Sequence, residues 1–488
     1  MDEHSVKTPS PFLSIVPILI LVVLLFITIR TFGSDALEGG SQIVLLTSTA
    51  ICTFIAVFFC YVRWKHIEMA IVNNITGVAT ALLVLLIIGA LSGSWMISGV
   101  VPTLIYYGIQ IIHPSFFLVS TCVICAIVSV MTGSSWTTIA TIGIALLGIG
   151  QAQGFSEGWI AGAIVSGAYF GDKVSPLSDT TILAASVTEV PLFTHIRYVM
   201  TTTVPSILIT LVIFAVAGFS QEVAATDQIL LYTTILRDTF HITPWVLLVP
   251  VITGIMIAKK LPSLVTLFLS AALAGLFAIL FQPSILKEIA GPEVTGIQAG
   301  FKGLLISFYG STGVETGNEA LNELVSTSGM RGMLNTIWLI ICAMCFGGAM
   351  AASGMLGSII SVFVRFMKRT TSMVASTVLS GIFLNVTTAD QYISIILTGN
   401  MFKDIYTKKG YENRLLGRTI EDGVTVTSPL VPWNTCGMTQ ATVLGVATFT
   451  YPPYCFFNLI SPLMSIIMAA FGYKIYRTHE KDPNLPAG

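Results

Sequence analysis

The chain has 488 residues, 54% of them hydrophobic and only 10% charged, with a formal net charge of −1. A soluble domain carries about 25% charge, so this composition excludes a large soluble core and describes an integral membrane protein. The small net charge excludes nucleic acid and strongly acidic partners, and the lack of strict alternation excludes a membrane β-barrel.

Residues 12–30 make the first apolar run long enough to span a bilayer. The run is too long for a signal h-region, and no small-x-small cleavage site follows Arg30, so it reads as a retained helix. Further spans are expected near 42–62, 80–112, 157–190 and 198–219, then near 243–258, 262–282, 333–364, 420–446 and 455–474. Basic clusters lie at Arg63/Lys65, Lys259/Lys260, Arg365/Lys368/Arg369, Lys403/Lys408/Lys409/Arg414/Arg418 and Lys474/Arg477/Lys481, and acidic or neutral loops at 34–40 and 283–298 fall between them. One threading satisfies every cluster, with both termini cytoplasmic. Cys122/Cys125 and Cys342/Cys345 form C-x-x-C pairs inside apolar sequence without flanking His or basic residues. They read as small hydrophobes rather than as zinc or redox sites.

Two stretches break the rules of membrane helices. Ser175-Pro176-Leu177-Ser178-Asp179-Thr180 lies in the first half, and Ser428-Pro429-Leu430-Val431-Pro432-Trp433-Asn434-Thr435 begins 253 positions later (428 − 175). Proline and polar groups at membrane depth are tolerated where the broken backbone lines a protein cavity, and matched breaks in two halves point to a transporter's binding site. Residues 371–401 carry basic clusters at both ends and are too short for two crossings, so a re-entrant hairpin is expected with its tip at Thr387-Thr388-Ala389-Asp390. The same offset carries Asp390 to Thr137, within the polar tip of a matching hairpin over 114–151. Five spans per half, an odd number, make the second half run oppositely. The expected fold is all-α and polytopic, one membrane domain of two inverted five-span repeats. The repeats cover 12–230 (hairpin 114–151, broken helix 157–190) and 240–475 (hairpin 371–401, broken helix 420–446).

Residues 95–108 (WMISGVVPTLIYYG), 134–141 (SSWTTIAT), 171–181 (GDKVSPLSDTT), 388–392 (TADQY) and 421–437 (EDGVTVTSPLVPWNTCG) resemble the NhaC-type sodium/proton antiporter family, over about 12–475. The resemblance implies secondary active transport in the cell membrane, without a cofactor and with sodium as substrate. It also implies a homodimer and an elevator-like shift of the hairpin-bearing part. The family includes exchangers of sodium-lactate for proton-malate. One departure concerns the stretch after Phe346-Gly347-Gly348, where Ala349-Met350-Ala351-Ala352 is neutral and an acidic residue is expected.

Sodium takes hard oxygen ligands, and helix breaks supply them. Asp179, Thr180, Ser175 and Ser178 come from the first break; Asn434, Thr435, Ser428 and Thr427 come from the second; Ser135, Thr137, Thr387, Thr388 and Asp390 come from the tips. Asp179, Asp390 and Asn434 are the expected sodium ligands, the aspartates because an intramembrane ionisable group is a functional candidate by default and Asn434 as a neutral oxygen ligand. The structural alternative is that the aspartates cap half-helices. Asp172, Lys173, Glu421 and Asp422 are secondary candidates. Asp172 has a plain alternative in pairing with adjacent Lys173, and Glu421/Asp422 in forming a solvated interfacial pair. His113 and His195 read as interfacial, and Glu315, Glu319 and Glu323 as a solvated helix face. Gly158, Gly162 and Gly167 read as close helix contacts.

Sodium/proton exchange is thus the first expectation, with carboxylates holding either ion. Exchange of a small organic anion such as malate or lactate is the second. A channel is disfavoured by the paired breaks. An enzyme is disfavoured because no H-E-x-x-H, G-x-S-x-G or nucleotide loop occurs.

Overall fold

The computed structural model describes residues 9–32, 38–220, 226–259, 261–318, 322 and 325–477. Lys260, Glu319, Glu323 and Lys481 lie outside the described residues. Apolar runs fold into helices because a bilayer offers the backbone no partner but itself. In chain order these are α1 (Pro11–Phe32), α2 (Gly40–Cys60), α3 (Trp64–Gly77), α4 (Ala79–Ile97), α5 (Val100–Ile111), α6 (Phe117–Thr132) and α7 (Ser135–Ala152). There follow α8 (Glu157–Val174), α9 (Asp179–Val187), α10 (Leu192–Ser220), α11 (Thr226–Thr239), α12 (Leu248–Ala258) and α13 (Ser263–Phe281). Next come α14 (Pro283–Ala290), α15 (Ile297–Tyr309), α16 (Leu334–Ala352), α17 (Met355–Arg365), α18 (Thr370–Thr388) and α19 (Gln391–Lys408). Last are α20 (Asn413–Ile420), α21 (Thr435–Leu444) and α22 (Phe456–Ala470).

Among the described residues, nine helices are long and apolar enough to cross a membrane, or ten if a pair bent by 89° around residues 239–244 is one span. Large side chains such as Phe54, Phe58, Phe268 and Leu280 are exposed on their outer faces. In water such a surface marks an interaction site; here it meets lipid.

Three features depart from the sequence expectation. Helix α3 occupies the presumed loop before residue 80, because Lys65, His66, Glu68, Asn73 and Asn74 mask its apolar stripe. That stripe docks on α16, where a Cβ at Gly348 would meet the Ile71 backbone. The presumed loop 283–298 contains α14. The second hairpin is longer than expected, with arms of 19 and 18 residues, since α19 continues past residue 401 to Lys408. Each arm is thus about as long as a membrane crossing, so length does not mark the segment as re-entrant, and what the structure shows is a helix–turn–helix whose tip lies against the second break.

The long spans 80–112 and 333–364 each divide at a left-handed glycine, Gly99 (φ 83°) and Gly354 (φ 72°), which caps the start of α5 and α17. A side chain at either φ is strained. Two apolar cores lie side by side, and each mixes both halves of the chain: α1–α3 pack with α16–α20, while α4–α8 pack with α13 and α14. The expected close approaches at Gly158, Gly162 and Gly167 are present, against Tyr454 and Cys122. The paired cysteines are free, and all but Cys345 are buried.

Helices α6 and α8 form a close pair in which a Cβ at Gly167 would collide with the Cys122 carbonyl. Gly167→Ala is expected to cost about 1–3 kcal/mol through overpacking, read as a lower thermal midpoint in detergent. Gly254→Ala, whose added Cβ meets no atom within 4 Å, should leave the midpoint nearly unchanged.

Candidate functional site: two hairpin tips against two helix breaks

Pro176 has no N–H and holds the residue before it in the extended region. Ser175 accordingly has φ −77° and ψ 130°, and α8 stops at Val174. Ser178 restarts the chain as the N-cap of α9, its Oγ accepting from the Thr181 amide at 3.3 Å. In the second half, a π-turn at Glu421–Thr425 and a 3-10 turn at Ser428–Leu430 lead to extended Val431 before Pro432. Asn434 then caps α21, its Oδ1 accepting from the Cys436 amide at 3.0 Å.

The freed carbonyls find donors within the protein. In the second break Asn385 donates to Val424 O (2.7 Å), Asn458 to Val426 O (2.7 Å) and Tyr451 to Pro429 O (2.8 Å), while Ser175 of the first break donates to Val130 O in the last turn of α6 (2.8 Å).

The hairpin tips are built alike. Gly133 and Ala389 take left-handed conformations (φ 67° and 58°), followed by the extended caps Ser134 and Asp390. Ser134 Oγ accepts from Thr137 N at 3.2 Å, and Asp390 Oδ1 from Ile393 N at 2.9 Å. Thr132 pairs with Thr138 at 3.2 Å, and Thr388 with Ser394 at 2.9 Å. The matching caps stand 256 positions apart at the tips (390 − 134) and at the breaks (434 − 178). Asp390 therefore corresponds to Ser134 rather than to Thr137. The second break carries three extra residues, Val431-Pro432-Trp433, and matching it by its serine gave an offset three too small.

Each tip touches a break, and a carboxylate sits at each contact. Asp172, 5% exposed, accepts from Ser135 Oγ at 2.7 Å and Ser178 Oγ at 2.6 Å, with Thr180 Oγ1 2.9 Å from Ser178 Oγ. Asp390, 1% exposed, accepts from Thr435 Oγ1 at 3.0 Å, and the Thr435 amide donates to Ala389 O at 2.8 Å. Both carboxylates border one cavity of about 760 Å³, with Asp179, Thr137 and Thr180 also on its wall. No Lys, Arg or His is among the described residues that line it. A second cavity, about 950 Å³, reaches the opposite ends of α7 and α21 at Gln151 and Thr442.

Behind Asp172 lies a buried charge cluster. Lys173 pairs with Asp422, both fully buried, and Thr202 Oγ1 donates to Asp422 Oδ1 at 3.2 Å. His195 Nε2 is 3.7 Å from Glu421 Oε1, and both are fully buried. Arg418, also fully buried, lies over the Tyr198 ring at 4.9 Å.

A profile described as the Na+/H+ antiporter family matches residues 167–473. The Na(+)/H(+) antiporter NhaC of Bacillus subtilis is 36% identical over 88% of this chain and 91% of its own. The chain belongs to the Na+/H+ antiporter family. The Malate-2H(+)/Na(+)-lactate antiporter of the same organism is 35% identical over 94% of this chain and 95% of its own. The crystal structure of the Alcanivorax borkumensis YdaH transporter covers 94% of this chain and 99% of its own, at 12% identity and a TM-score of 0.42.

In this antiporter-family chain most of the expected ligands fall into two groups. Asp390, Thr435, Ser135, Ser178, Thr180 and Thr137 gather at the tips and breaks. Ser175, Ser428, Thr387 and Thr427 instead bond to backbone carbonyls and hold the breaks and the hairpin arm in shape. Thr388 knits its own tip, and the Asn434 amide is engaged by Cys436 and by Asn385 O at 3.0 Å. Asp179 is exposed on the cavity wall.

Several expectations are corrected. Asp172 does not pair with Lys173, because neighbouring side chains on a helix point apart; its partners are serines. Glu421 and Asp422 are not an interfacial pair, since both are fully buried, as is His195. Arg418 is not a loop cation, while His113 is exposed as expected. Glu315 is exposed in irregular chain rather than on a helix. The neutral Ala349 and Met350 are fully buried, beside Gly347, which abuts the Thr388 backbone at the tip. Asn385, Gln391 and Cys436 were missed; Cys436 donates to Gln391 Oε1 at 2.7 Å beside Asp390. A lone Asn one turn before a tip inside apolar sequence was the readable signal.

Removing one partner of a buried ion pair leaves an uncompensated charge. Lys173→Met is expected to destabilise the fold by roughly 3–5 kcal/mol, and a Lys173→Met/Asp422→Leu double variant should regain most of it, both read by thermal unfolding in detergent.

Proposed function

We propose that the chain exchanges sodium for protons across the plasma membrane by alternating access, with the cation bound between the hairpin tips and the helix breaks. The observation that carries this reading is the acidic cavity, with three aspartates and no basic side chain among its described lining residues. Such a wall attracts a cation and repels a small carboxylate. Asp172 with Ser135, Ser178 and Thr180 offers one carboxylate and three hydroxyls, and Asp390 with Thr435 offers a second nest. A hydroxyl has one proton and two lone pairs. Those now donating to Asp172 can turn an oxygen toward a cation without leaving their places. Asp179, on the wall, draws the ion inward. Sodium and a proton neutralise the same buried negative charge, so binding one disfavours the other, and that competition couples the fluxes.

The matched tips and breaks support a pair of inverted repeats, 12–230 and 240–475. The charge bias supports cytoplasmic termini. Tip-to-break bonds tie the hairpins and breaks into one body. In this reading that body shifts against the rest, exposing the site alternately toward the two cavities, and the chain works as a homodimer, as the resemblance implies.

The malate/lactate relative supports a second reading, in which an organic acid accompanies the ions. Proton flux into proteoliposomes on adding sodium, with no organic acid, separates the two. Sodium-driven flux is expected from the wild type, lost in Asp172→Asn and Asp390→Asn, and in Asp179→Asn retained with a few-fold higher sodium requirement. Flux that begins only when malate or lactate is supplied sinks the sodium/proton reading, and an ohmic sodium current in its place sinks the transporter.

A further inference from the structure

We infer that Glu421 and His195 form a proton-binding site, buried apart from the cation cavity and coupled to it through the Lys173–Asp422 pair. The inference rests on the sodium/proton reading above and locates the exchanged proton. Neither residue borders the described cavities, both are fully buried, and they stand 3.7 Å apart. Both Glu421 oxygens and both His195 ring nitrogens lack a hydrogen-bond partner among the described residues. A carboxylate buried this way carries a penalty of several kcal/mol. A proton shared with the imidazole removes it, either as neutral acid beside neutral ring or as carboxylate beside imidazolium. In both forms the pair holds one proton and can release one.

The groups around the pair supply the coupling. Asp172 and Lys173 come from α8, Tyr198 from α10, Arg418 from α20, Tyr406 from α19, and Asp422 from the π-turn itself. Helices α18 and α22 face the turn with no titratable side chain, and α9 bears only Asp179, at its cavity end. Asp172, Glu421 and Asp422 thus oppose Lys173 and Arg418, and one negative charge remains uncompensated. A proton on Glu421–His195 neutralises it, and so does a cation held by Asp172. Glu421 lies within electrostatic reach of Asp172, so each event weakens the other although the two share no ligand. Lys173, adjacent to Asp172 and joined to Asp422, fixes the spacing between the two loci.

The test is sodium binding to the purified full-length chain across a pH series, with proton release followed in weak buffer. Wild type should release one proton per sodium, its apparent Kd falling roughly tenfold per pH unit while the pair is protonated. Glu421→Gln should still bind sodium, with proton release lost and Kd flat against pH. Glu421→Asp, which keeps the carboxyl, should restore the release. Infrared spectra guard against misfolded variants: a protonated-carboxyl C=O band or an imidazolium ring band should be lost on adding sodium to wild type. Sodium binding with release and pH slope intact in Glu421→Gln overturns the site, as do wild-type carboxyl and imidazolium bands that are both indifferent to sodium. Wild type that binds no sodium at all overturns the cation reading and this inference together.

Discussion

Everything in this molecule follows from the need to satisfy broken backbone away from water. Each proline break frees carbonyls and amides that a bilayer cannot hydrate. At the second break the chain answers with side-chain donors from other segments, Asn385 on Val424, Asn458 on Val426 and Tyr451 on Pro429, and at the first break Ser175 donates to Val130 at the end of α6. Those bonds fix the breaks against the hairpins, and the hairpin tips in turn complete the breaks, as when the Thr435 amide donates to Ala389. The oxygen-rich nests around Asp172 and Asp390 are what remains at these junctions after the backbone has been satisfied.

Four helix starts, at Ser134, Ser178, Asp390 and Asn434, converge there, and so do the ends of α6, α8 and α18. Helix starts favour negative charge and helix ends positive charge. The starts therefore steady the two carboxylates, while the ends offer a cation a compatible field. Behind them the Lys173–Asp422 pair joins the first broken helix to the second. It is weak evidence for stability as such, yet it fixes the register between two elements on which the site depends.

The spans, the breaks and both tips were legible because proline, glycine and charge are punctuation that acts locally. Asp390 was legible for the same reason, standing where a helix must restart. That Asp172 is buried against serines while Asp179 is exposed on the cavity wall was not legible, because they lie on either side of the break and sequence does not tell which faces the protein. Lys173 looked like the partner of its neighbour, whereas its true partner is 249 positions away. His195, Arg418, Glu421 and Asp422 resembled interfacial charges by spacing alone; only the packing of α10, α20 and α22 around the π-turn buries them. Helix α3 was missed because its polar side outweighs a narrow apolar stripe that becomes meaningful only against α16.

That last contact bears on how the chain is made. Helix α3 is made long before α16 exists; at ribosomal rates of about 5–20 residues per second, the interval is on the order of tens of seconds. During it the face that will meet Gly348 has only lipid or headgroups for company. The stripe of α3 therefore stays uncovered until the later half arrives, and a fragment ending before residue 334 lacks the helix on which it docks.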